Sequence, residues 1–112
     1  MTREFVYTAK FDREWLKQGL NDDDLQLLES FLIENPDAGR IMEGTGGIRK
    51  LRWVLPDIGK SGGIRVLYVD FIASDKICIF DLFPKGEKEN LSQTEKKTIK
   101  QIVKAIGEEL RK

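Results

Sequence analysis

Residues 44–68, GTGGIRKLRWVLPDIGKSGGIRVLY, read as two strand patterns, each introduced by glycines, and this stretch decides the fold. Alternation places Lys50 and Arg52 on one face of the first strand and Leu51 and Trp53 on the other. The second strand brings Arg65 near them, on a face set by a register that the sequence leaves open. The segment carries Arg49, Lys50, Arg52, Lys60 and Arg65 against one acid, Asp57, a local charge of five minus one, or +4. The whole chain has 19 basic and 19 acidic residues, so a neutral protein concentrates positive charge in one hairpin. Such a surface attracts anions.

Outward from this hairpin, residues 4–11 alternate with Phe5, Tyr7, Ala9 and Phe11 on one face, which predicts a first strand. Asp12 is expected to cap a short helix through Leu20. Asn21-Asp22-Asp23-Asp24 supplies a cap and first-turn acids for a second helix, with Leu25, Leu28, Phe31 and Leu32 as its apolar stripe and Asn35-Pro36 as its end. The chain to Gly47 reads as connector, with Gly44, Gly46 and Gly47 permitting tight turns. Strands are expected over 48–55, 64–72 and 76–83. Ser92-Gln93-Thr94-Glu95 has capping-box form and opens a last helix on Ile99, Ile102, Val103, Ile106 and Leu110. The fold class is α+β: a small twisted, mainly antiparallel sheet with two N-terminal helices and one C-terminal helix, expected together on one face.

At 112 residues the chain fits one domain, 1–112, with no repeat or low-complexity linker to divide it. Its acids lie mostly in front. Residues 1–43 hold five basic and ten acidic side chains, 44–65 five and one, and 66–112 nine and eight. No apolar run approaches the roughly 20 residues of a membrane span, and the N-terminus does not read as a signal peptide, so a cytoplasmic protein without membrane partners is expected. The single cysteine, Cys78, sits in the apolar run Ile77-Cys78-Ile79-Phe80 and reads as a buried, inert thiol.

The chain contains no histidine, which excludes a His-based acid/base pair, a Ser-His-Asp triad and a His-liganded zinc, and one cysteine cannot build a structural zinc site. GTGG lacks the GK[ST] ending and following helix of a phosphate-binding loop. What remains is basic chemistry. Arginine holds a phosphate through two hydrogen bonds, and clustered cations stabilise the charge that develops when a ribose 2′-hydroxyl attacks its own phosphate. Crowding also shifts a lysine toward the range in which it acts as a base. The plain alternative is a charged edge strand kept from aggregating.

The combination GTGGIRKLRW, GKSGGIRVLYVDF, IFDLFPKGEKENLS and the following helix resembles the toxins of the RelE/ParE superfamily, most closely the HigB-type branch, over nearly the whole chain. The resemblance implies a RelE-like fold and an mRNA interferase that enters the ribosomal A site and cuts the message by 2′-hydroxyl attack, with neither metal nor cofactor. It implies Lys50, Arg52 and Arg65 as the catalytic residues: Lys50 and Arg52 resemble the paired basic residues of the central strand, and Arg65 the arginine after the glycine turn. Lys85 and Lys88 resemble the basic positions after the last strand. The C-terminal tyrosine of some relatives has no counterpart, since the segment runs Asn90-Leu91-Ser92. The partners implied are a cognate antitoxin, a helix-turn-helix protein from a neighbouring gene, together with the ribosome and mRNA.

With Lys85 and Lys88, the side chains of Arg49, Lys60, Tyr68 and Phe83 complete the expected RNA- or ribosome-contacting set. Three of these have a plainer reading. Arg49 alternates with Leu51 and Trp53, which favours a structural or docking role; Tyr68 packs within a sheet as readily as it contacts RNA; Phe83 suits a core as well as a stacking platform. Lys96, Lys97, Lys100 and Lys104 oppose the apolar stripe of the last helix and read first as a solvated face, though one able to meet ribosomal RNA. Two other functions compete: a ParE-like poison of DNA gyrase, against which the basic cluster argues, and a catalytically inactive RNA-binding module.

Overall fold

The computed structural model describes residues 3–54, 63–86 and 90–112. Five strands form one sheet in the order β1-β5-β4-β3-β2. These are β1 (Glu4–Tyr7), β2 (Arg40–Ile41), β3 (Arg49–Trp53), β4 (Ile64–Phe71) and β5 (Lys76–Pro84). Three helices accompany them: α1 (Ala9–Lys17), α2 (Asp22–Glu34) and α3 (Gln93–Leu110). Strands β2 to β5 pair antiparallel, whereas β1 lies parallel to β5 along the sheet's far edge. The α+β class and the mainly antiparallel sheet are as expected.

Four successive residues of β4, Val66, Leu67, Tyr68 and Val69, are all buried, which requires cover on both faces of the sheet. Val66 and Tyr68 join Leu51, Ile77, Ile79 and Leu82 against Phe11, Trp15, Leu28 and Leu32 of α1 and α2. Leu67 and Val69 join Ile48 and Phe83 against Val103 and Ile99 of α3. The expectation that all helices share one face is therefore corrected: α1 and α2 cover one side, and α3 the other. The pairing of β4 with β5 slips at Leu67/Tyr68, where Leu67 faces Asp81 and Tyr68 faces Ile79. The extra residue, Phe80, is a β-bulge that keeps Leu82 on the α1/α2 side and Phe83 on the α3 side.

Strand β1 is shorter than its alternation suggested because Thr8 caps α1, its hydroxyl accepting from the Phe11 N–H and donating 2.6 Å to the Phe80 carbonyl. Ala9 and Phe11 are thus helical, and Asp12 lies in the first turn rather than at the cap. The other two helix starts match their signatures. Asn21 with Asp24, and Ser92 with Glu95, each form a reciprocal capping box. In the GTGG turn, buried Thr45 donates 2.6 Å to the Met42 carbonyl and accepts from the Ile48 N–H, launching β3. Gly63 opens β4 at φ +62°, where a Cβ would stand 2.3 Å from the Trp53 carbonyl oxygen, so only glycine fits.

Candidate functional site

The register resolves which basic residues meet. In the β3–β4 pair, Arg52 stands directly opposite Arg65, and Lys50 opposite Leu67. Directly opposed residues point to the same face, so Lys50, Arg52 and Arg65 share the α3 side of the sheet. Arg52 is exposed and the other two are half-buried. Cross-strand neighbours of this kind lie about 5 Å apart at Cβ and their diagonals roughly 7–8 Å. Like charges directly opposed repel, so the Arg52–Arg65 arrangement is suited to an anion that spans both guanidinium groups.

Phe83 stands opposite Arg65 on β5, and Asp81 opposite Leu67. Asp81 is an acid on this face and is engaged by Lys10 of α1 in an ion pair, while its other oxygen accepts from the Leu82 N–H at 2.8 Å. Beside this pair, α3 and the sheet border an open groove of about 470 Å³ whose apolar lining includes Leu67, Phe80, Phe83, Ile99 and Ile102.

Several expected contact residues lie elsewhere. Tyr68 is fully buried on the α1/α2 side, which corrects its expected contact with RNA. Its hydroxyl donates 2.9 Å to the Pro36 carbonyl and accepts 2.9 Å from the Gly39 N–H. Burial pushes the phenol above its ordinary range, with the Gly39 hydrogen bond opposing, so the group stays a neutral donor. Arg49, opposite Tyr68, donates 2.8 Å to the Gly39 carbonyl and 3.3 Å to that of Asp37, which assigns it the structural role. Phe83 is only 7% exposed within the α3 cluster and offers no open ring for stacking, a second correction. Lys85 is exposed at the end of β5. Lys60 and Lys88, with Asp57, lie outside the described residues. Cys78 is buried, and burial pushes its thiol up to about 11, so it is no nucleophile at neutral pH.

One cation on this face escaped sequence reading. Strand β2 pairs Arg40 with Lys50, which puts an exposed arginine on the same side as Lys50, Arg52 and Arg65. A two-residue strand has no periodicity to betray it, and the stretch read as connector.

Comparison with known proteins follows the same lines. A family model described as the RelE toxin of the RelE/RelB toxin–antitoxin system matches residues 4–111. Among solved structures, an arginine-to-alanine double mutant of E. coli toxin RelE in the free state superposes with a TM-score of 0.55 at 19% identity, over 80% of this chain and 88% of that one. At that identity the superposition speaks for the fold.

Proposed function

The chain belongs to the RelE toxin family, and from that premise we propose that it is the toxin of a type II toxin–antitoxin system, an endoribonuclease that cuts mRNA on the ribosome in the cytoplasm. The observation that carries this reading is the shared face of Lys50, Arg52 and Arg65, with the two arginines directly opposed. In this reading Arg52 and Arg65 hold the non-bridging oxygens of one phosphate. The upstream ribose 2′-oxygen attacks that phosphorus, the 2′-O–P bond forms, the P–O5′ bond breaks, and the products are a 2′,3′-cyclic phosphate and a free 5′-hydroxyl. The 2′-hydroxyl proton leaves to a base and the 5′-oxygen regains one. Guanidinium charge stabilises the dianionic transition state, and Lys50 adds charge beside it. With no histidine in the chain to supply a ready acid/base pair, alignment of the 2′-hydroxyl falls to the ribosome, so free RNA is a poor substrate.

A toxin needs a silencing partner. In this proposal it is a cognate antitoxin, a helix-turn-helix protein from a neighbouring gene, that covers or displaces the basic face. The test is primer extension on a translated message after brief expression. New breaks in frame with codons, bearing cyclic phosphate ends, are expected. Intact mRNA with cleaved DNA would instead identify a gyrase poison and sink the proposal.

A further inference from the structure

The segment between α2 and β3 is held with unusual care for so short a strand. Tyr68 reaches through the core from the α1/α2 side to bond both Pro36 and Gly39 at 2.9 Å, and Arg49 bonds the Gly39 and Asp37 carbonyls. The packing leaves no slack: a Cβ on Gly39 would lie 3.0 Å from the Arg49 Cβ and 3.0 Å from the Tyr68 ring. The residue that follows this clamp is Arg40, exposed and in register with Lys50. Across the sheet, Arg65 and Arg52 therefore form one row, and Lys50 and Arg40 the next, one step along β3.

Resting on the reading of this face as an RNA site, we propose that Arg40 is a fourth phosphate-binding residue, taking a phosphate next to the one held by Arg52 and Arg65, and that the Tyr68–Arg49 clamp on Gly39 is the positioning device that aims it. The diagonal from Arg40 to Arg52 spans roughly 7–8 Å, a separation that suits successive phosphates of an extended single strand rather than two oxygens of one group. Arginine on an edge strand also deters strand pairing, and that role needs only a charge, not a clamp.

The experiment is a salt titration of binding to a short single-stranded RNA oligonucleotide by fluorescence anisotropy. The wild type is compared with Arg40→Ala, Arg40→Gln and Arg40→Lys, and with Arg52→Ala and Arg65→Ala as references. Loss of one phosphate contact lowers the slope of log K against log salt by about 0.7, which corresponds to affinity down about eightfold at 50 mM salt and about threefold at 200 mM. Arg40→Ala and Arg40→Gln are expected to show this loss with unchanged melting temperature, and Arg40→Lys to keep the slope. Tyr68→Phe should lose the same increment, and lose nothing further in the Arg40→Ala background. If Arg52→Ala and Arg65→Ala lower the slope while the Arg40 variants do not, the Arg40 assignment fails and the RNA reading stands. If Tyr68→Phe adds its loss to that of Arg40→Ala, the clamp is general support and its positioning role fails. If the wild type shows no salt-dependent binding, the RNA reading fails and the Arg40 assignment with it.

Discussion

The two faces of β3 obey opposite rules within five residues. Leu51 and Trp53 point into the cluster with α1 and α2, and Arg49 on that side spends its guanidinium on backbone carbonyls. Lys50 and Arg52 point to the other side, where Arg52 meets Arg65 head-on and Arg40 stands beside Lys50. One face buries its apolar side chains and ties its arginine to backbone carbonyls; the other sets basic residues side by side in register. The lesson is that a basic residue's meaning follows its face. Arg49, three positions from Arg52, ties backbone carbonyls together, whereas Arg52 stands exposed on the opposite face, where the proposed function needs it.

The largest effects should separate these faces most cleanly. Leu51→Ala removes a side chain only 7% exposed and should lower unfolding free energy by about 2–5 kcal/mol in a urea titration. Arg52→Ala, its neighbour, should stay within about 0.5 kcal/mol of wild type, on the stabilising side because the repulsion from Arg65 is relieved. Its cost should appear in catalysis instead. Arg52→Ala and Arg65→Ala are each expected to slow cleavage of ribosome-bound message by about 10²–10³-fold, the usual range for removing one donor that stabilises transition-state charge. A stability loss in Arg52→Ala as large as that of Leu51→Ala would dissolve the contrast.

A smaller effect probes the clamp behind β3. Gly39→Ala forces a Cβ to 3.0 Å from both Arg49 and Tyr68, neither of which can yield without breaking its hydrogen bonds. It should cost about 1–3 kcal/mol by thermal or chemical unfolding, as overpacked sites do. Tyr68→Phe leaves the Gly39 N–H and Pro36 carbonyl without their partner and should cost a similar 1–3 kcal/mol. Neutral behaviour of both would mean that the segment relaxes freely and that the α1/α2 face holds nothing in place.

Much of this was legible beforehand, and the misses have physical causes. The cap and first-turn acids at Asn21–Asp24 announced α2 and the capping box at Ser92 announced α3, and alternation over 49–53 correctly set Lys50 and Arg52 against Leu51 and Trp53. The end of β1 was misread because Ala9 and Phe11 continue a period of two by coincidence, while Thr8 had already turned the chain into a helix. The side taken by α3 was not readable from the helix itself, since an apolar stripe tells which helix face is buried but not which sheet face receives it. The consecutive apolar residues of β4 did carry that information. Tyr68 and Phe83 were misjudged because their faces depend on pairing, and for β5 on the bulge at Phe80. Arg40 had no pattern at all, because two residues of strand contain no period.

The last prediction tests how dry the α3 side becomes away from the basic rows. Cys78 is paired with Val69, which packs in the α3 cluster, so this end of the face is apolar although the Arg52–Arg65 end is open. Burial raises the thiol from 9.0 to about 11, meaning that the folded protein binds its proton more tightly than the unfolded chain does. The corresponding stability is fully present below pH 9 and is lost as pH rises through about 11, because unfolding then releases a proton. Lysines and tyrosines titrate in the same range, so the informative quantity is the difference between wild type and Cys78→Ala. That difference contains the fixed packing loss plus the thiol's contribution, and it should narrow between pH 9 and 11. A gap that stays constant over this window would show that solvent reaches the thiol, and that the α3 side is open along its whole length rather than only at the basic rows.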